Sequence, residues 1–102
     1  MEKRTPHYKL EKIKKTVADN NSRPFTMTAL RGGLELGLTE PLMREVVLKL
    51  TRDDFYKSMT THSDHRLWQD VYQGKTPDNI PVYIKITDFN DARPLVIQFK
   101  AK

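Results

Sequence analysis

The sequence predicts an α+β domain, with N-terminal helices packed on a C-terminal, mainly antiparallel twisted sheet. Three observations lead there. Apolar residues recur at helical spacing as far as Leu50. From about residue 54 the period changes to the two-residue alternation of strands. The length of 102 residues allows one buried core and not two, so residues 1–102 read as a single domain.

The elements follow in order. Thr5-Pro6 reads as an N-cap with a first-turn proline, Leu10, Ile13 and Val17 then share one helical face, and Asn20-Asn21 ends the helix. A second helix is expected from Thr26 through Leu36, although Gly32 and Gly33 each cost about 1 kcal/mol relative to Ala. Thr39-Glu40-Pro41 opens a third helix. Its Leu42, Met43, Val46, Val47 and Leu50 form a stripe that reads as core, not as a cofactor box. Strands are expected at 54–60, 67–73, 81–88 and 94–100. Val82, Ile84 and Ile86 alternate with Tyr83, Lys85 and Thr87, and Leu95, Ile97 and Phe99 alternate with Val96, Gln98 and Lys100. One sheet face therefore lies on the helices while the other meets solvent or a ligand.

Composition narrows the function classes. Lys and Arg number 18 against 13 Asp and Glu, a net charge of +5 that favours polyanionic partners. Apolar residues make up 37%, below the usual ~45–50%, which implies a compact core under a very polar surface. The absence of cysteine excludes disulfides, thiol nucleophiles and thiolate metal sites. Met1-Glu2-Lys3-Arg4 leads into no apolar run, and no segment approaches a membrane-spanning length, so a cytoplasmic protein is expected.

A simple meander brings chemically useful residues together. If the turns 61–65, 73–79 and 89–93 centre on Ser63, Thr76 and Asp91, Lys57 faces Gln69 and Gln69 faces Tyr83. Tyr83 then faces Phe99, one residue short of Lys100, and a bulge or an even-length turn brings Lys100 into line. Lys57, Gln69, Tyr83 and Lys100 would stand in a row about 5 Å apart. Such a row suits metal-independent RNA cleavage, which needs a base for the 2′-OH, an acid for the leaving oxygen and cations for the growing phosphorane charge. Lys57 and Lys100 fit the cationic role, Gln69 can orient a phosphate or base edge, and ammonium neighbours would fit Tyr83 for acid or base duty. Tyr56 and Met59 can pack against splayed bases, and Lys85 shares the face of Tyr83. Phe55 and Tyr72 fit the core equally well. His62 and His65 fall in the first hairpin's turn, where His65 could contact RNA or act as acid or base, and His7 reads as structural. The general base stays open among Tyr83, a lysine and His65. No metal-ligand spacing, glycine-rich phosphate loop or serine nucleophile elbow is present. The plain alternative is a solvated face whose lysines keep the sheet soluble.

The run from Asp54 to Thr61, Ser63-Asp64-His65 and Trp68–Tyr72 resembles the core of the MqsR family, the motility quorum-sensing regulator toxins. The opening Met1–His7, Glu35–Leu38, Val82–Thr87 and Phe99–Lys102 resemble the same family. The resemblance implies a RelE-like fold and a toxin that cuts mRNA at GC-containing triplets such as GCU, without metal or other cofactor. The products would be a 2′,3′-cyclic phosphate and a 5′-hydroxyl. The family's active-site Lys, Gln, Tyr and Lys fall on Lys57, Gln69, Tyr83 and Lys100. His62 departs from the family's tyrosine, and the second hairpin, Gln73–Asn79, is differently composed. A cognate MqsA-like antitoxin is also implied, with a zinc-binding N-terminal domain and a helix-turn-helix domain, so zinc and DNA contacts would belong to the partner. Strand addition at a sheet edge would suit that docking. Two other readings stay in view: a non-catalytic RNA-binding module, and a regulatory subunit acting on DNA through its antitoxin.

Overall fold

The structure is a computed structural model that describes residues 1–89 and 91–102. In chain order it contains β1 (Glu2–Lys3), α1 (Leu10–Ala18), α2 (Met27–Glu35), α3 (Glu40–Leu48), a 3₁₀ turn (Arg52–Asp54), β2 (Phe55–Thr60), β3 (Trp68–Lys75), β4 (Pro81–Thr87) and β5 (Val96–Ala101). The helices pack against a five-stranded sheet of order β1-β2-β3-β4-β5 in which every neighbouring pair is antiparallel. The expected α+β architecture is present, with the helices ahead of four of the five strands and the short β1 before them. The core joins Ile13 and Val17 of α1, Met43, Val46 and Val47 of α3, and Tyr72, Ile84, Ile86, Ile97 and Phe99 of the sheet. No helix among the described residues is long and apolar enough to cross a membrane.

The N-terminus departs from the expectation. Thr5-Pro6 does not open α1; Lys9 is its N-cap, without a side-chain cap bond. The buried Asp70 carboxylate instead accepts the backbone N–H groups of His7 at 3.0 Å and Tyr8 at 2.8 Å, and the Tyr8 hydroxyl donates to the Trp68 carbonyl at 2.7 Å. These bonds tie the segment before α1 to β3. The residues ahead of it pair with β2, Glu2 opposite Met59 and Lys3 opposite Ser58.

The two glycines of α2 are explained by close packing. A Cβ on Gly32 would sit 2.8 Å from the carbonyl oxygen of Phe99 in β5, and one on Gly33 would collide with the Met43 thioether of α3. Their helix cost is offset by an approach no larger residue allows. Thr26 caps α2 by accepting from the Ala29 N–H at 3.0 Å. Gly37, at φ +77°, closes it: Leu38 N–H bonds Gly33 O and Gly37 N–H bonds Leu34 O, a Schellman ending. The buried Arg44 of α3 binds the carbonyls of Val17, Asp19 and Ser22, the Ser22 hydroxyl and the Glu40 carboxylate. It thereby satisfies carbonyls that the end of α1 leaves without helical donors.

The meander exists, but its register differs from the simple count. The first hairpin centres on Asp64 rather than Ser63, so Lys57 faces Val71 and Gln69 faces Met59. The second centres on Asp78 rather than Thr76, so Tyr83 faces Gln73, not Gln69. Gly74 and Lys75 lie beyond the strand end expected at 73, yet they extend β3, because Gly74 is buried against Leu50 and Ile84 and Thr76 folds the loop. Thr76 Oγ1 accepts from Ile80 N–H, and Asn79 takes φ 64°. In the third hairpin Tyr83 faces Lys100, as the bulged or even-length alternative required. The turn expected at 89–93 includes Asn90, which lies outside the described residues.

Candidate functional site

Strand alternation sends Lys57, Met59, Tyr83, Lys85, Gln98 and Lys100 to the face away from the buried Ser58, Ile84, Ile86, Ile97 and Phe99. A bulge in β2 leaves Tyr56 unpaired between Phe55 and Lys57 and exposes its ring. That ring stands 6.1 Å from the ring of Tyr83, tilted by 34°. Lys57, Met59, Tyr83, Lys85, Lys100 and Tyr56 line an open cavity of about 510 Å³, with Val71, Ala101 and Lys102 completing it. Lysines enter it from β2, β4 and β5 and from Lys102 beyond β5, and no Asp or Glu side chain lines it among the described residues.

Each cation has a different setting. Lys57 donates to Glu2 Oε1 at 2.8 Å, which ties β1 to the rim of the site. That hydrogen bond, and the charge behind it, raises Lys57 above the ordinary lysine value and holds Glu2 below the usual carboxylate range. Lys57 is thus fixed as a cation at neutral pH and is poorly suited to act as a base. Lys85 and Lys100 have no carboxylate within ion-pair distance among the described residues. Lys102 donates to Gln73 Oε1 at 3.1 Å and places its ammonium 6.0 Å from the Tyr83 ring centroid. No described protein group bonds the Tyr83 hydroxyl, so it faces the cavity uncommitted.

Six of the residues singled out from sequence therefore meet in one cavity: Lys57, Tyr83, Lys100, Tyr56, Met59 and Lys85. Gln69 is not in its lining. It stands across from Met59, on the diagonal from Lys57, within reach of a long side chain. His65 lies on the exposed loop between β2 and β3, outside the lining, as does His62. His7 stacks on Trp68, ring centroids 5.5 Å apart, and its Nδ1 takes a 2.9 Å hydrogen bond from Lys3. Partial burial, and then the Lys3 charge, lower His7 below the usual histidine value. It borders a separate opening of about 460 Å³ that includes Lys12, Arg66 and Asp88. No three His, Cys, Asp or Glu side chains converge as metal ligands among the described residues.

Three neighbours escaped the sequence reading. Lys102 was legible, since it continues the outward face of Gln98 and Lys100. Gln73 was hidden by the misplaced hairpin centre. Glu2 gave no signal, because a two-residue strand has no periodicity to detect.

Ammonium groups and phenols converging on an exposed sheet face, with acids kept to the rim, define a protein built to hold a polyanion. The comparison with known proteins is more specific. The family model described as motility quorum-sensing regulator, toxin of MqsA, matches residues 5–101. The chain is also 47% identical over 102 residues, the whole of both chains, to the mRNA interferase toxin MqsR of Escherichia coli (strain K12). The chain belongs to the motility quorum-sensing regulator toxin family.

Proposed function

We propose that this chain is the toxin of a toxin–antitoxin pair and acts as an mRNA interferase, an endoribonuclease that cleaves by attack of the 2′-OH without a metal ion. The observation that carries the reading is the cavity shared by Lys57, Tyr56, Tyr83 and Lys100. A scissile phosphate seated there would meet ammonium groups from two sides. As the 2′-oxygen attacks phosphorus, the bond to the 5′-oxygen breaks and negative charge grows on the non-bridging oxygens. Lys57 and Lys100, with Lys85 beside them, stabilise that charge. Tyr83, directly across from Lys100, is the proton-transfer group nearest the reacting atoms. The proton leaves the 2′-OH, and a proton reaches the departing 5′-oxygen, giving a 2′,3′-cyclic phosphate and a 5′-hydroxyl. Gln69, at the margin beside Met59, orients a base edge, and Tyr56 and Met59 pack against a splayed base. His65, on its exposed loop, contacts RNA further out. The preferred cut is at GC-containing sites such as GCU.

The partners in this reading are mRNA and an MqsA-like antitoxin that carries zinc and a helix-turn-helix. DNA would be reached only through that antitoxin, and the site of action is the cytoplasm. The test is digestion of a GC-containing transcript in EDTA. Cleavage with 5′-hydroxyl ends is expected from the wild type, together with its loss in Lys57→Ala and Lys100→Ala variants that remain folded. A wild-type chain that leaves the transcript intact refutes the proposal.

A further inference from the structure

Beside the central cavity a second groove of about 590 Å³ runs between α2 and β5, the last strand of the sheet. Arg31 and Glu35 of α2 and Gln98 of β5 line it, and it shares Lys85 and Lys100 with the central cavity. Its floor lies where the Gly32 backbone meets the Phe99 carbonyl, too close for any side chain. Lys85 and Lys100 therefore stand on the ridge between the two openings, and each ammonium can serve either. Arg31 is exposed and makes no ion pair among the described residues, even with Glu35 one turn along the helix.

We propose that this groove is a subsite for the RNA backbone flanking the cut: it holds the neighbouring phosphates of a single strand, with Arg31 as the outer phosphate contact. The inference rests on the RNA-cleaving reading of the central cavity and extends it. A polyanion bound between Lys57 and Lys100 has to leave the cavity, and cations guide its course. Toward β1 the way out meets the Glu2 carboxylate. The exit around the β3–β4 hairpin sets Lys49 and Lys75 beside Asp54, but it shares only Lys102 with the central cavity, and that ammonium is already bonded to Gln73. The α2–β5 groove continues the site through Lys85 and Lys100, two lysines without an ion pair among the described residues. The planar guanidinium of Arg31 suits it further, since it can pair with a phosphate and stack on an unstacked base. An acidic protein segment would satisfy the same charges, but nothing ties such a segment to the catalytic lysines.

Fluorescence anisotropy at several salt concentrations tests this. The probes are single-stranded RNAs blocked by 2′-O-methylation at the cut, one confined to the central cavity and one long enough to cross both openings; cleavage of the unblocked RNAs runs in parallel. Arg31→Gln should weaken the long RNA about 2–5-fold, the scale of one exposed ion pair. It should flatten the salt slope by about 0.7, the value for one phosphate contact on a single strand. The penalty should grow with RNA length, and Glu35→Gln should tighten the long RNA. Equal effects on both lengths, or none, overturn the groove assignment. So does an Arg31→Gln variant that keeps long-RNA binding and loses an acidic protein partner. A wild type that cleaves both RNAs while Arg31→Gln matches it at every length sinks only the groove. A wild type that binds with the Arg31-dependent length effect and never cleaves sinks only the nuclease reading.

Discussion

Tyr83→Phe isolates one atom. The ring lies beside the Tyr56 ring and the Lys102 ammonium, and phenylalanine preserves both contacts. The lost hydroxyl has no described protein partner, so its removal orphans no donor or acceptor. A stability change within about 0.5 kcal/mol is therefore expected, as at an ordinary surface position. If the hydroxyl moves a proton in the transition state, cleavage should fall about 10²–10⁴-fold. At 1.36 kcal/mol per decade that is about 2.7–5.4 kcal/mol of barrier, several times the stability effect. Single-turnover cleavage of a labelled RNA measures the rate, and anisotropy with the blocked RNA measures binding. The rate should collapse while binding and melting temperature hold. A loss below about threefold at unchanged binding would refute a proton-transfer role for Tyr83.

Other substitutions probe the scaffold and its titrating groups. Arg44→Met orphans carbonyls at the end of α1 and leaves Glu40 without its partner, so a loss of about 3–5 kcal/mol is expected. The melting temperature should fall by more than about 12 °C, and a drop of only a few degrees would show the network to be dispensable. Burial, and then the Asp70 charge, push Tyr72 up to about 12 from 10.0, so its contribution to stability is complete below pH 10 and disappears as pH rises toward 12. Urea titrations should record a loss of about 2–3 kcal/mol across that window, and Tyr72→Phe should abolish it. His7 titrates below 6.5, so the stability linked to its neutral form is present above 6.5 and is lost as pH falls through the lower folded value. Lys3→Met removes a cation that lowers His7, and the NMR midpoint of His7 should move up; an unmoved midpoint would contradict the Lys3 contribution.

The parts of the fold that burial dictates could be read from sequence. The apolar stripes of α1 and α3 and the alternation in β4 and β5 each report a face that must leave water, and Thr26 and Thr39 mark their helices by capping them. What escaped was set by polar contacts between distant residues. Asp70 gathers the amides of His7 and Tyr8 from 63 and 62 residues away, and no local pattern announces that. Gly32 and Gly33 counted against α2, because their justification lies in β5 and α3 rather than in the helix itself. The site was legible in part. Tyr83 and Lys100 were placed outward by the alternation in β4 and β5, and Lys57 joined them through a hairpin count whose whole-residue errors leave the face unchanged. The pairing of Gln69 did not survive those errors, since β3 extends through Lys75 and shifts its partners along β4. The bulge that turns Tyr56 toward Tyr83 likewise leaves no mark in the residue pattern.

The decisive measurement is a structure of the protein with an RNA whose reactive 2′-hydroxyl is methylated. The phosphate at the blocked linkage should lie within hydrogen-bonding reach, about 3 Å, of the Lys57 and Lys100 ammonium groups and the Tyr83 hydroxyl. A phosphate seated instead at the opening beside His7, Lys12 and Arg66, with the lysines of β2 and β5 still solvated, would contradict the assignment of this face as the place where RNA is cut.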